Sequence, residues 1–304
     1  VPGSAFGPTG EAHLRICYAR ADADIEVAFE RLNDYFNGRS VRAPAPATSA
    51  AIAPRSRTQG RVRRAGIASL HALARVYLAR HRPRVIVIAG SRGKTVLKRL
   101  LVEALAPYRR VRANPLSYNT EIGLPLAVLD TTFDTHRIGS VVRGLGRALW
   151  TAFAARTRLD VLVLELGARQ PGDMAMHLRT VRPNMAVIAS LSPSFSEDHR
   201  ALAVMRREVA QLCADVTRRE GVVWLCGDDP SLAALAQELP AARCFTRDQW
   251  HEDNGRSAVT VGGQSFPVER EVVGDSNVYG LIVAAQIASE LGLGEEALRR
   301  FLGS

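Results

Sequence analysis

Four short, almost unbroken apolar runs constrain this chain more than any other feature: "VIVIA" at 85–89, "VLVLEL" at 161–166, "MAVIASL" at 185–191 and "VVWLC" at 222–226. Longer stretches with helical apolar spacing separate them, such as Thr95 to Leu105 and Leu202 to Val216. Strands buried on both faces read as continuous Val/Ile/Leu runs, and strands alternating with helices build parallel sheets. The predicted fold is therefore α/β, a mostly parallel sheet with helices on both faces, over residues 67–304. Near its end, "SAVTVGGQSFPVER" predicts a small hairpin turning at Gly262-Gly263. The last segment predicts two helices broken at Gly292-Leu293-Gly294. Residues 1–42 form a small, weakly specified N-terminal segment, and the Pro/Ala- and Arg-rich stretch 43–66 predicts a linker.

With 304 residues, 47% hydrophobic and 23% charged, the chain can bury a substantial core. No apolar run approaches the roughly 18 residues needed to span a bilayer, and the N-terminus lacks a charged-then-apolar signal pattern, so the cytoplasm is the expected compartment. Cys17, Cys213, Cys226 and Cys244 show neither C-x-x-C spacing nor nearby paired histidines, which predicts core thiols rather than disulfides or a zinc site. The net charge of +10 is almost wholly arginine, because Lys94 and Lys98 are the chain's two lysines. Arginines crowd the region from Arg55 to Arg84, but Tyr77 is the one aromatic residue there, so a nucleic-acid surface is not expected.

The first apolar run leads straight into "GSRGKT", Gly90 to Thr95. The common phosphate-loop spacing would require glycine at position 88, where Ile88 stands. The context is nevertheless that of a phosphate site. Gly90 and Gly93 let backbone approach an anion, and the first N–H groups of the following helix supply positive potential. Lys94 adds a mobile charge, and Thr95 can offer its hydroxyl to magnesium. Ser91 and Arg92 complete the loop. A magnesium nucleotide site also needs acidic groups at the carboxyl ends of neighbouring strands. Glu165 closes the second run, and Asp228 and Asp229 follow the fourth.

Five segments then carry a resemblance: "GSRGKT", "SYNTEIGLPLAVL" at 117–129, "VLELGARQPGDM" at 163–174, "GDDP" at 227–230 and "GDSNVYGLIVAA" at 274–285. In order and approximate spacing they resemble the central ATP-binding domain of the Mur ligase family, most closely its MurF branch, over residues 68–304. That family's loop reads G-[TS]-x-G-K-[TS], which accommodates Ile88. The resemblance implies an ATP-dependent carboxylate–amine ligase working through an acyl phosphate in cell-wall precursor or related peptide synthesis. Its cofactors would be ATP and Mg2+. Its partners would be a carboxylate substrate, in the branch a UDP-linked peptide, and an amine substrate.

By position, Gly90 to Thr95, Asp229 and Asn277 would hold the nucleotide. Thr95 and Glu165 would bind magnesium, and Lys94, Glu165 and His199 would form the catalytic group. Asn119, Thr120 and Glu121 would lie on the substrate side.

Departures from the family pattern accompany these matches. Phe195 stands where a histidine metal ligand is common, with His199 as the nearby substitute. The family's carbamoylated lysine cannot exist in a chain whose lysines are Lys94 and Lys98, leaving Glu208 as an acidic stand-in. Cys226 and Gly280 replace asparagines that would contact adenine. The family's third domain is not represented in the sequence, which raises three alternatives: a truncated ligase, a partner chain that supplies the domain, or a nucleotide-binding, non-catalytic relative acting in regulation or assembly.

Overall fold

The computed structural model describes residues 57–114, 122–131, 138–154, 158–168, 170–191 and 199–303. Strand β1 (Arg84–Ala89) lies inside a six-stranded sheet because every residue from Val85 to Ala89 is apolar and buried on both faces. It pairs with β3 (Val161–Glu165) on one side and β4 (Met185–Ile188) on the other. Beyond these lie β2 (Val111–Ala113), β5 (Val222–Cys226) and β6 (Arg243–Phe245), giving the order β2-β3-β1-β4-β5-β6. Every pairing in this sheet is parallel. The four apolar runs are the four interior strands. The two edge strands, of three residues each and partly exposed, carry no such run and went unforeseen.

Helices flank the sheet: α1 (Arg57–His81), α2 (Lys94–Leu105), α3 (Gly123–Leu129), α4 (Ile138–Phe153), α5 (Asp173–Leu178), α6 (His199–Arg218), α7 (Pro230–Glu238), α8 (Asp275–Glu290) and α9 (Glu295–Gly303). Helix α1 begins at Arg57, so the last ten residues expected to be linker are helical. No proline interrupts the chain between Pro54 and Pro83, and Arg and Gln are good helix formers. Helix α2 packs against α8, and at this crossing a Cβ on Gly280 would lie 2.7 Å from Leu100 Cδ1. A side chain at position 280, such as the one the resemblance led one to seek there, would therefore have to displace Leu100 Cδ1.

The predicted hairpin is present, as β8 (Arg256–Val261) and β9 (Gln264–Val268), joined by Gly262 and Gly263 at φ 57° and 84°. A third strand, β7 (Trp250–Asp253), extends it through Asn254-Gly255, also at positive φ. That Asn-Gly pair is a strong hairpin signal. The break between α8 and α9 falls where expected. Cys213 and Cys226 are buried, and burial pushes their thiols up to about 12 and about 11. Cys244 departs from the expected core thiols. It is exposed, because β6 is an edge strand. Cys17 lies outside the described residues.

His177, at the end of α5, is fully buried with neither ring nitrogen in a hydrogen bond. Burial lowers its pKa, opposed by Asp173 and Glu208 and reinforced by His71. The unfolded chain therefore takes up this proton first as pH falls below about 6.5, so the contribution is fully present above that value and lost below it. Between pH 7.5 and 5.5, unfolding free energy from urea titrations should fall by up to about 1.4 kcal/mol per pH unit for this proton. His177→Leu should flatten that slope; an unchanged slope in the variant would assign the pH dependence elsewhere.

Candidate functional site

Strand β1 ends at Ala89, and the chain turns at once into the loop. Ile88 is buried within the strand, in register with Glu165 on β3 and Val187 on β4, so a glycine at 88 would serve no turn. Gly90 makes the turn, at φ 121°. A Cβ there would sit 2.5 Å from the Ser190 carbonyl oxygen, while the Ser91 N–H donates to that same oxygen at 2.7 Å. The loop thus leans on the segment leaving β4. Gly93 caps α2 in the left-handed region, φ 78°, with no side chain bonded to the helix N-terminus. Its first N–H groups face the loop, as an anion requires.

Lys94 Nζ donates to the loop's own carbonyls, to Gly90 at 2.7 Å and Ser91 at 3.2 Å. Its ammonium is thereby held over the loop. One residue on, Thr95 Oγ1 donates to Glu165 Oε2 at 3.2 Å. The parallel register explains this meeting, since Glu165 stands level with Ile88 and its carboxylate emerges at the loop's end of the sheet. A hydroxyl and a carboxylate oxygen form a hard pair suited to magnesium, which keeps several waters and takes few protein ligands. The residues present fit that ion.

The sequence reading missed a second cation at the same carboxylate. Lys98 is buried, and its Nζ lies 3.3 Å from Glu165 Oε2 and donates to the Asn114 carbonyl at 2.8 Å. Asn114 Oδ1 in turn accepts the Glu165 N–H at 3.0 Å. The available signal was composition: one of the chain's two lysines stands four residues beyond Lys94, on the same face of α2.

A cavity of about 580 Å3 opens beside the loop, lined by Arg92, Gly93, Ser190, Asp228, Asp229 and Ser276 among others. Its far wall is aromatic: Phe245 and Tyr279 meet edge to face at 6.3 Å. Tyr279 donates its hydroxyl to Asp228 Oδ2 at 2.8 Å, and burial and that carboxylate hold the phenol protonated. The volume lies within the roughly 300–1,000 Å3 range of small-molecule sites, and a planar base suits such a wall.

Three expectations meet a different geometry. Asp229 lines the cavity, but its carboxylate accepts from Ser190 Oγ, the Leu191 N–H and the N–H groups of Ser231 and Leu232. It caps α7 and clamps the end of β4, leaving its neighbour Asp228 as the exposed carboxylate. Asn277 turns away from the cavity, accepting from Arg99 at 3.2 Å and donating to the Val273 carbonyl at 2.7 Å. On a helix entering at Gly274, positions 276, 279 and 280 face the cavity and 277 faces the other side. Glu208 spends both oxygens on the N–H groups of Gly172 and Met174, at 2.8 and 2.7 Å, capping α5. His199 opens α6, but its side chain, like Asn119, Thr120, Glu121 and Phe195, lies outside the described part of the structure.

Two measurements check this geometry. Gly90→Ala should lower unfolding free energy by about 2 kcal/mol or more and abolish nucleotide binding, because no L side chain fits both the φ and the Ser190 carbonyl. Lys98→Met should cost about 3 kcal/mol without magnesium, since it strands a buried carboxylate. Added Mg2+ should then stabilise the variant more than the parent, and thermal melts with and without the ion read the difference.

No protein-family model matches the chain. The UDP-N-acetylmuramoyl-tripeptide–D-alanyl-D-alanine ligase of Mycobacterium tuberculosis H37Rv is 30% identical over 225 residues, 70% of this chain and 39% of the relative. The Bacillus subtilis protein of the same name is 27% identical over 169 residues, 55% of this chain and 31% of the relative. Among solved structures, MurF from Acinetobacter baumannii superposes with a TM-score of 0.60 at 17% identity, covering 78% of this chain and 49% of that one. MurF from Thermotoga maritima in complex with ADP gives 0.56 at 20% identity, covering 78% and 52%. The chain therefore spans about two-fifths of the Mycobacterium relative's length and about half of each of these structures.

Proposed function

The chain belongs to the Mur ligase family and is most like MurF, and from that premise we propose that residues 67–304 form the ATP-binding core of an amide ligase. The observation that carries this reading is the convergence of Lys94, Thr95 and Glu165 at one sheet edge, beside a cavity sized for a nucleotide. The reaction class is transfer of the ATP γ-phosphoryl group to a substrate carboxylate. An amine then attacks the acyl phosphate, releasing phosphate and forming the amide. By analogy with the relatives' names, the acyl substrate is a UDP-linked muramoyl peptide or a related peptide.

Phosphoryl transfer needs positioning and charge compensation more than covalent chemistry from the protein. The backbone N–H groups of the loop and of the first turn of α2 hold the phosphates. Lys94 exchanges the Gly90 and Ser91 carbonyls for phosphate oxygens as charge develops on them. Magnesium, held by Thr95 Oγ1 and the Glu165 carboxylate, would neutralise charge between the phosphates. Lys98 holds the Glu165 carboxylate in place. Phe245 and Tyr279 receive the base.

A second reading, nucleotide binding without ligation, is favoured by Glu208. The acidic group that could replace the family's modified lysine is committed to capping α5. The comparisons lend no support to a partner chain that supplies a third domain, and among the described residues no helix is long and apolar enough to cross a membrane.

Lys94→Ala should weaken ATP binding about tenfold or more, from loss of a charge-assisted contact, and abolish phosphate release. In the parent, phosphate release should require both a carboxylate and an amine substrate. ATP binding with no phosphate release under any substrate pair would favour the second reading. Unchanged ATP affinity in Lys94→Ala would defeat the loop assignment itself.

A further inference from the structure

Strand β1 has a second end, away from the loop, and a cavity of about 390 Å3 lies there. Four arginines line it: Arg75 from α1, Arg82 just past that helix, Arg179 closing α5, and Arg182 before β4. Its apolar floor includes Leu78, Pro83 and Val85, the last two buried. No aspartate or glutamate contributes to the lining. Among the described residues, none of the four guanidinium groups has a hydrogen-bond or ion-pair partner. Elsewhere Arg110, Arg147, Arg270 and Arg299 each pair with a carboxylate.

Helix dipoles account for part of this arrangement. Arg82 and Arg179 sit at the C-terminal ends of α1 and α5, where cations are favoured. Arg75 lies within α1 and Arg182 in the turn leading to β4, so neither has that explanation. Four arginines lining one cavity with no acidic side chain among them give it a positive potential that favours an anion. The phosphate loop cannot supply that occupant, because β1 separates the two regions by its length, five residue steps or roughly 17 Å.

We propose that this cavity is a second anion site, which takes a small molecule carrying a diphosphate group beside an apolar or planar group. Guanidinium forks match phosphate oxygens two at a time, and a planar or apolar moiety can lie on the floor formed by Leu78, Pro83 and Val85. The volume is that of a small-molecule site. A single nucleic-acid strand fits less well, since it calls for aromatic platforms along a groove and no aromatic side chain lines this cavity.

Calorimetric titration of the full chain with inorganic pyrophosphate tests the site. The parent should bind two equivalents, one sensitive to Lys94→Ala and one insensitive to it. Arg75→Gln combined with Arg182→Gln should weaken the second equivalent at least tenfold and leave the first unchanged. Both positions are exposed, so the thermal melt should not move. Binding of one equivalent that Lys94→Ala removes would overturn the proposal, as would a second equivalent indifferent to the paired arginine change. A twelve-nucleotide single strand that displaces pyrophosphate at lower concentration than pyrophosphate's own would also overturn it, in favour of a polynucleotide surface. Loss of the first equivalent alone would bear on the phosphate loop and leave this site standing.

Discussion

The loop end of the sheet depends on one close approach of two backbone segments. Gly90 passes the Ser190 carbonyl where no Cβ could stand, and the Ser91 N–H closes the contact. This approach fixes the loop to the segment leaving β4, and Asp229 fixes that segment in turn by accepting from Ser190 and Leu191 while capping α7. Loop, β4 exit and α7 start are thus one rigid rim around the cavity. The left-handed Gly93 then directs α2 so that its N-terminal end lies at that rim.

Within the rim, Glu165 is the charge around which the polar groups arrange themselves. It is nearly inaccessible to water, yet Thr95 and Lys98 each satisfy part of its carboxylate, while Asn114 Oδ1 accepts its backbone N–H. A buried carboxylate without such partners would protonate or destabilise the fold. The two lysines of the chain therefore divide their work along one helix face. Lys94 bonds the carbonyls of the loop, and Lys98 faces the carboxylate one turn deeper. The carboxylate beside Thr95 is in this way fixed in position by the fold itself.

Much of the fold was legible in the residues because buried parallel strands cannot avoid being apolar throughout. The interior strands β1, β3, β4 and β5 announced themselves, and so did the loop and Glu165. The edge strands β2 and β6 escaped notice because three half-exposed residues leave no pattern. The start of α1 at Arg57 escaped because an arginine-rich helix has little apolar period there. Asp229 and Asn277 illustrate a different limit. Both were assigned to the nucleotide from their place along the chain, but a side chain at a helix start can cap, clamp or face a ligand, and only neighbours decide which. Asp228, one residue away, is the exposed carboxylate of the cavity, held by Tyr279 and the Arg247 N–H.

The sequence by itself determined the alternation of buried strands and helices, the glycine loop after β1 and the acidic strand end beside it. Each follows from local chemistry: burial demands apolar runs, a tight turn demands glycine, and an anion demands N–H groups and a cation. Tertiary structure alone decided that Lys98 pairs with Glu165, that Glu208 caps α5 and that Asn277 turns toward Arg99. It alone brought four arginines from α1, α5 and their flanking turns to one cavity. These depend on register and helix packing between residues tens to more than a hundred positions apart, and no pattern along the chain carries that distance.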